Sequence, residues 1–167
     1  VISVQREGAE MRGTVEQLVG QLGNELGGSY FTFSNENNYL MEKPQYSLSY
    51  NRSKATANWT AWRLDSSWIG STQRQDDFRP DSSLPAGWYQ VLDNDYSGSG
   101  YDRGHLCPSG DRTNSIPNNS ATFLMTNMMP QLAANNQGPW EEFESYCRTL
   151  AGQGNEIYIM SGPSGNI

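Results

Sequence analysis

The 167-residue chain holds a single histidine, His105, and two cysteines, Cys107 and Cys147. That is too few soft ligands for a structural zinc site, and it allows at most one disulfide. Lysine is absent beyond Lys54, so the cations of the remaining chain are Arg63, Arg74, Arg79, Arg103, Arg112 and Arg148. Charged residues make up only 17% and the net charge is −7, which excludes a protein that grips a polyanion through bulk electrostatics. A phosphate site here has to be a local cluster of arginines, whose planar forks suit phosphate and carboxylate alike. No apolar run is long enough to span a bilayer, so no membrane partner is expected. No signal peptide is visible and the first residue is Val, which reads as a mature, processed chain, secreted to the extracellular or periplasmic space.

What is present fits one domain, 1–167, with a real core and many loops: 35% of residues are hydrophobic and 17 are Gly. Residues 1–11 read as a loose end. Val15, Leu18, Val19, Leu22 and Leu26 recur at helical spacing before Gly27-Gly28. Residues 45–50 and 58–64 alternate as strands joined by a hairpin loop, and 65–87 reads as a long ordered loop of the kind that carries function. Ala121 to Thr126 is predicted as a strand that ends at 127–131. Trp140, Phe143, Cys147 and Leu150 mark the apolar face of a helix over 140–150, with Pro139 in its first turn. Residues 156–160 form a buried type of strand, which at the end of the chain would leave an unprotected edge, so a fragment, or a further piece that is missing or separate, is expected.

The segment Tyr101-Asp102-Arg103-Gly104-His105-Leu106, running on to Asp111-Arg112, gathers the sole imidazole with two Asp, two Arg and several breaks. It is written as a polar active loop rather than a core strand, and any imidazole acid–base chemistry must come from His105. Asn136, Trp140, Glu144 and Arg148 are spaced by four and climb one side of a helix beginning near Asn136. The plain reading of Glu144 and Arg148 is a solvated ion pair. An amide oxygen is also a hard ligand suited to Mg²⁺, which keeps most of its waters. With a base and arginines nearby, these are parts for hydrolysing a phosphodiester. Arg79 and Arg112 stand near Asp81 and Asp111, so ordinary pairing is expected of them, and Trp59, Trp62 and Trp140 are expected in the core.

Asp102-Arg103-Gly104-His105 resembles the DRGH signature of the DNA/RNA non-specific endonucleases. The likeness extends through Tyr39-Leu40, Lys43 to Tyr46, Ser49 to Asn51, Gln73 to Asp81, Thr126 to Gln131, Asn136 with Trp140 and Phe143-Glu144, and Ser161-Gly162-Pro163. The resemblance implies an α+β, ββα-metal fold: a central antiparallel sheet flanked by helices, with a catalytic ββα finger. It implies His105 as general base and Asn136 as the direct ligand of one Mg²⁺ or Mn²⁺. Glu144 would hold a water of that ion, and Arg74, Arg148 and Arg103 would bind the scissile phosphate. Asp102 would orient its neighbours. DNA and RNA would be substrates, 5′-phosphates the products, and an inhibitor protein a conceivable partner. Members of that family continue beyond the Gly-Pro block, so a C-terminal part is expected to lie outside this chain. A Cys107–Cys147 disulfide would pin the histidine segment to the metal helix; two buried thiols are the alternative. The competing reading is a secreted binding domain for nucleic acid or glycan that no longer turns over.

Overall fold

The computed structural model describes the backbone of residues 3–6 and all of residues 36–163. The helix expected over 15–26 lies outside the described residues. Five strands form one antiparallel sheet: β1 (Ser3–Arg6), β2 (Tyr39–Glu42), β3 (Ser47–Asn51), β4 (Thr56–Leu64) and β7 (Ile157–Ser161), in the order β1-β7-β4-β3-β2. β3 is buried along its whole length, so it is covered on both faces despite its serines. The β3–β4 hairpin turns at Arg52–Ala55, with Ala55 at φ +53°.

Two expectations change here. The loose end is a strand in part: Ser3–Arg6 pairs with β7 from Ser3 opposite Met160 to Arg6 opposite Ile157. β7 therefore has a neighbour on each side, and the edge expected to be bare is occupied.

A second, two-stranded ribbon pairs β5 (Asp102–His105) with β6 (Met128–Gln131), Asp102 lying opposite Gln131 and His105 opposite Met128. The polar loop is thus a strand over Asp102–His105. The strand predicted at 121–126 is instead the end of α1 (Ile116–Ala121), followed by a 3₁₀ turn at Met125–Asn127. The reason is local: Ser115 caps the helix by accepting the Asn118 N–H, and Pro117 sits in the first turn.

α2 (Ala133–Asn136) and α3 (Pro139–Gly152) follow as separate elements. Asn136 therefore does not share a helix with Glu144 and Arg148. Gly138, at φ −131° and ψ −112°, breaks the run ahead of Pro139, as the residue before a proline is pushed out of the helical region. A Cβ there would meet Ala134 O at 2.7 Å.

The main core joins Leu48, Trp62, Leu64, Ile157 and Ile159 of the sheet to Leu106, Cys107, Cys147 and Ala151. Each leucine and isoleucine among them, fully buried, contributes on the order of 1.5–3 kcal/mol. Trp59 and Trp62 are buried as expected, while Trp140 is half-buried against Phe143. Cys107 and Cys147 are free, which corrects the disulfide. Burial pushes the Cys107 thiol up to about 12 and that of Cys147 to about 11, so the thiolate that oxidation requires is scarce at neutral pH. Packing holds α3 in place instead. Among the described residues no helix is long and apolar enough to cross a membrane.

The long loop after β4 is anchored at Asp81, which accepts from Lys43 Nζ at 2.8 Å and Thr126 Oγ1 at 2.7 Å. Burial would raise this carboxyl, but hydrogen bonds from Lys43, Ser83 and Thr126 outweigh it and leave Asp81 below its ordinary value. Arg79 pairs with Asp77, not Asp81, and Arg112 is buried against the carbonyls of Gln45, Arg63 and Asp111. Both arginines are structural, as expected, though with different partners.

Candidate active site

A strand sends alternate side chains to opposite faces. On β5 this sets Arg103 and His105 on one side and Asp102 on the other. Asp102 Oδ2 accepts from Asn136 Nδ2 at 2.9 Å and from Gln137 Nε2 at 3.0 Å, and these bonds hold its carboxyl below the usual range. They tie α2 to β5 and fix the Asn136 amide with its nitrogen toward Asp102. The oxygen is thereby left as the ligand end.

Gly104 makes room for Gln131 across the ribbon. A Cβ there would lie 2.1 Å from Gln131 Oε1. That oxygen is buried with no hydrogen-bond partner. Gln131 stood in a matching sequence block but received no role there; only the structure shows an unpaired acceptor beside the Asp102 segment.

His105 is buried, 8% exposed, with its ring edge-on to Phe123 at 4.9 Å and to Phe78 at 5.8 Å. Burial above all, then the charges of Arg74 and Arg103, depresses its pKa to about 3, so the ring is neutral at neutral pH. Its Nε2 has no hydrogen-bond partner.

Arg74 donates Nη1 to Ser109 Oγ at 2.9 Å and Nε to Asp76 at 2.6 Å, and lies 4.8 Å over the Phe123 ring. Arg103 lies 4.0 Å over Phe78 and pairs with Asp93. A cleft of about 500 Å³ opens between these groups, lined by Arg74, Arg103, Asp102, Asn136, Phe78, Asp76 and Asp93 among others. Four of the expected residues thus share one cavity wall. His105 does not: it is buried, edge-on to Phe78, which does line the cleft, and to the buried Phe123.

Glu144 and Arg148 form a flanking group on α3. Arg148 Nη1 lies 3.1 Å from Asp111 Oδ1 and 3.7 Å from Glu144 Oε2. Asp111 is 1% exposed and accepts Trp62 Nε1 at 2.8 Å through its other oxygen. Burial, with Asp111 adding to it and Arg148 opposing, lifts Glu144 to about 7. One 3₁₀ turn, Ser109–Asp111, connects the two groups. Ser109 receives Arg74, Asp111 receives Arg148, and Gly110 lies under the Arg148 guanidinium, where a Cβ would come within 2.9 Å of Nη1.

No group of three His, Cys, Asp or Glu side chains that could hold a metal ion occurs among the described residues. The donor in the cleft wall is a hard oxygen, Asn136 Oδ1, whereas Gln131 Oε1 is buried beside Gly104 and does not line the cleft. A single amide oxygen fits a mostly hydrated Mg²⁺-like ion better than a soft one.

Residues 27–166 match the DNA/RNA non-specific endonucleases. The chain belongs to that family. It is 58% identical over 146 residues to a nuclease of Nostoc sp. strain PCC 7120, covering 87% of this chain and 53% of that protein. It is 34% identical over 129 residues to nuclease C1 of Cunninghamella echinulata, covering 74% and 51%. The chain spans about half the length of these relatives. A solved structure of EndoG in complex with EndoGI superposes with a TM-score of 0.68 at 25% identity, over 82% of this chain and 60% of that one. The expected fold is the observed one: antiparallel sheets with helices, in which β5, β6 and the helices after them make the family's ββα unit.

Proposed function

We propose that this chain, or the protein of which it is part, is an endonuclease hydrolysing phosphodiester bonds of both DNA and RNA. The carrying observation is the cleft in which Asp102 holds the Asn136 amide beside Arg74 and Arg103, above a neutral imidazole with an unpartnered Nε2. His105 takes the proton from an attacking water as its oxygen bonds to phosphorus. Nε2 is buried without a partner in the free protein, and catalytic hydrogen bonds commonly tighten only in the substrate complex. Arg74 and Arg103 neutralise the charge gathering on the phosphoryl oxygens, and Arg148 braces them from the flank. The bond from phosphorus to the 3′ oxygen breaks, leaving a 5′-phosphate and a 3′-hydroxyl. Asn136 directly, and Glu144 through water, would hold a Mg²⁺ or Mn²⁺ ion, whose charge favours departure of the 3′ oxygen. An inhibitor protein belongs to this reading as a partner, by analogy with the EndoG/EndoGI complex.

Supercoiled plasmid and an RNA transcript, each incubated with Mg²⁺ or Mn²⁺ and with a chelator, test the proposal. Both are expected to be degraded with metal and spared with chelator. Tight binding without nicking would favour the non-catalytic binding domain instead.

The shared turn allows a finer test. Gly110→Ala should push the Arg148 guanidinium aside, since the clash is with the movable end of a side chain and not with backbone. A displacement of that size is expected to lower the rate by about 10- to 100-fold. The melting temperature should fall by only a few degrees, on the order of 1 kcal/mol. A wild-type rate would remove Arg148 from the mechanism.

A further inference from the structure

Both arginines of the cleft are already occupied. Asp76 Oδ1 takes the Arg74 Nε edge at 2.6 Å, and Asp93 pairs with Arg103 Nη1. Asp76 reaches Arg74 from only two residues away because its backbone sits at φ +51°, in the left-handed region that a non-glycine residue adopts at a cost. Neither carboxylate has an evident part in the fold. They are 61% and 53% exposed, in contrast to the buried Asp81 and Asp111. The turn beside Asp93 is closed by Asp95, which accepts the Leu92 N–H. Among the ionisable side chains lining the cleft, two guanidiniums stand against three carboxylates, Asp76, Asp93 and Asp102. A cleft built only to attract an anion would not be written with that balance.

We infer that Asp76 and Asp93 are built-in competitors for the arginine forks that bind phosphate, and that they set the affinity of the cleft for nucleic acid. An incoming phosphate must displace a carboxylate from each fork, and a departing one is replaced by it. The arrangement weakens binding in both ground states and speeds the release of a 5′-phosphate end, which carries more charge than the diester it came from. The inference rests on the phosphodiesterase reading given above.

The test is fluorescence anisotropy of a labelled single-stranded oligonucleotide in EDTA, where nothing is cut, with the whole chain and the variants Asp76→Asn, Asp93→Asn and the double. Asn is chosen because it accepts a positive φ as readily as Asp. Each single change is expected to tighten binding about two- to fivefold, the range for an exposed ion pair, and the double by roughly their product. Plots of log affinity against log salt should also steepen, by up to about 0.7 for each arginine freed to neutralise a phosphate. Glu42→Gln removes one charge from the outer strand β2, away from the cleft, and should change affinity less than twofold. A double variant that binds no better than Glu42→Gln overturns the inference. Weaker binding overturns it too, since the carboxylates would then be holding the arginines in place. Plasmid nicking by the wild-type chain separates the two levels. If nicking is intact but the double variant binds no tighter, only the competition fails; if nicking is absent, both readings fall together.

Discussion

Replacing His105 with alanine is expected to lower the rate of phosphodiester cleavage by about 10²–10⁴-fold, the range for losing a general base. No other imidazole exists in the chain to take its place. The loss should fall on kcat and leave KM nearly unchanged, because the ring is buried and does not line the cleft proposed to hold phosphate. Alanine would leave a hole between Phe78 and Phe123, so His105→Phe is the companion variant. It keeps an aromatic ring in an aromatic pocket while deleting the nitrogen. Both should bind oligonucleotide in EDTA as the wild type does. If His105→Phe is folded and cuts at the wild-type rate, the proton goes elsewhere and the mechanism is wrong.

This division of labour explains an arrangement that is otherwise odd. The His105 imidazole is buried and neutral against two phenyl rings, while each arginine lies over one of those rings, Arg74 on Phe123 and Arg103 on Phe78. A guanidinium over an aromatic face is favourable. The same two rings therefore shield the imidazole and seat the cations. Behind them, the Ser109–Asp111 turn orients Arg74 and Arg148 at once, so the geometry of both depends on a single loop fixed by Trp62 and by Asn119, which donates to Ser109 O.

Much of this was legible in the sequence where the signal was local. The β3–β4 hairpin, β7 and the apolar stripe of α3 came from periodicity, and the identities of the cleft residues came from matched blocks. The failures have particular causes. Asp102-Arg103-Gly104-His105 has no strand propensity; it is a strand because β6, contributed from more than twenty residues away, pairs with it. The burial of His105 depends on Phe78 and Phe123, which no window around the histidine contains. Sequence adjacency suggested Arg112 for Asp111, whereas the fold delivers Arg148 from α3. The α1 helix and the break at Gly138 were different, since Ser115, Pro117, Gly138 and Pro139 were in view and were outweighed by an apolar run and an i+4 spacing. For the two cysteines the sequence left a disulfide and two buried thiols open, and the fold shows the second, both sulfurs free in one core.

The dry imidazole also has a thermodynamic signature. With a folded pKa near 3 against an ordinary 6.5, His105 stays neutral in the native state while the unfolded chain takes up its proton. Stability from this group is therefore full above pH 6.5 and is lost as pH falls toward 3, at about 1.4 kcal/mol per pH unit, approaching roughly 4–5 kcal/mol. Glu144 works in the opposite sense. Its folded pKa near 7 lies above the ordinary 4.5, so its contribution is full below 4.5 and is lost as pH rises through 7. Between 4.5 and 6.5 the two slopes oppose each other. Urea unfolding of the wild type and His105→Phe, at steps from pH 7 to 4.5, isolates the first term, because Glu144 and every other shared group cancel in the difference. That difference should grow in favour of the variant by about 1.4 kcal/mol per unit below pH 6.5, reaching nearly 3 kcal/mol at pH 4.5. A difference independent of pH would mean that solvent protons reach the ring in the native state. The imidazole would then not be the sequestered base that the mechanism requires.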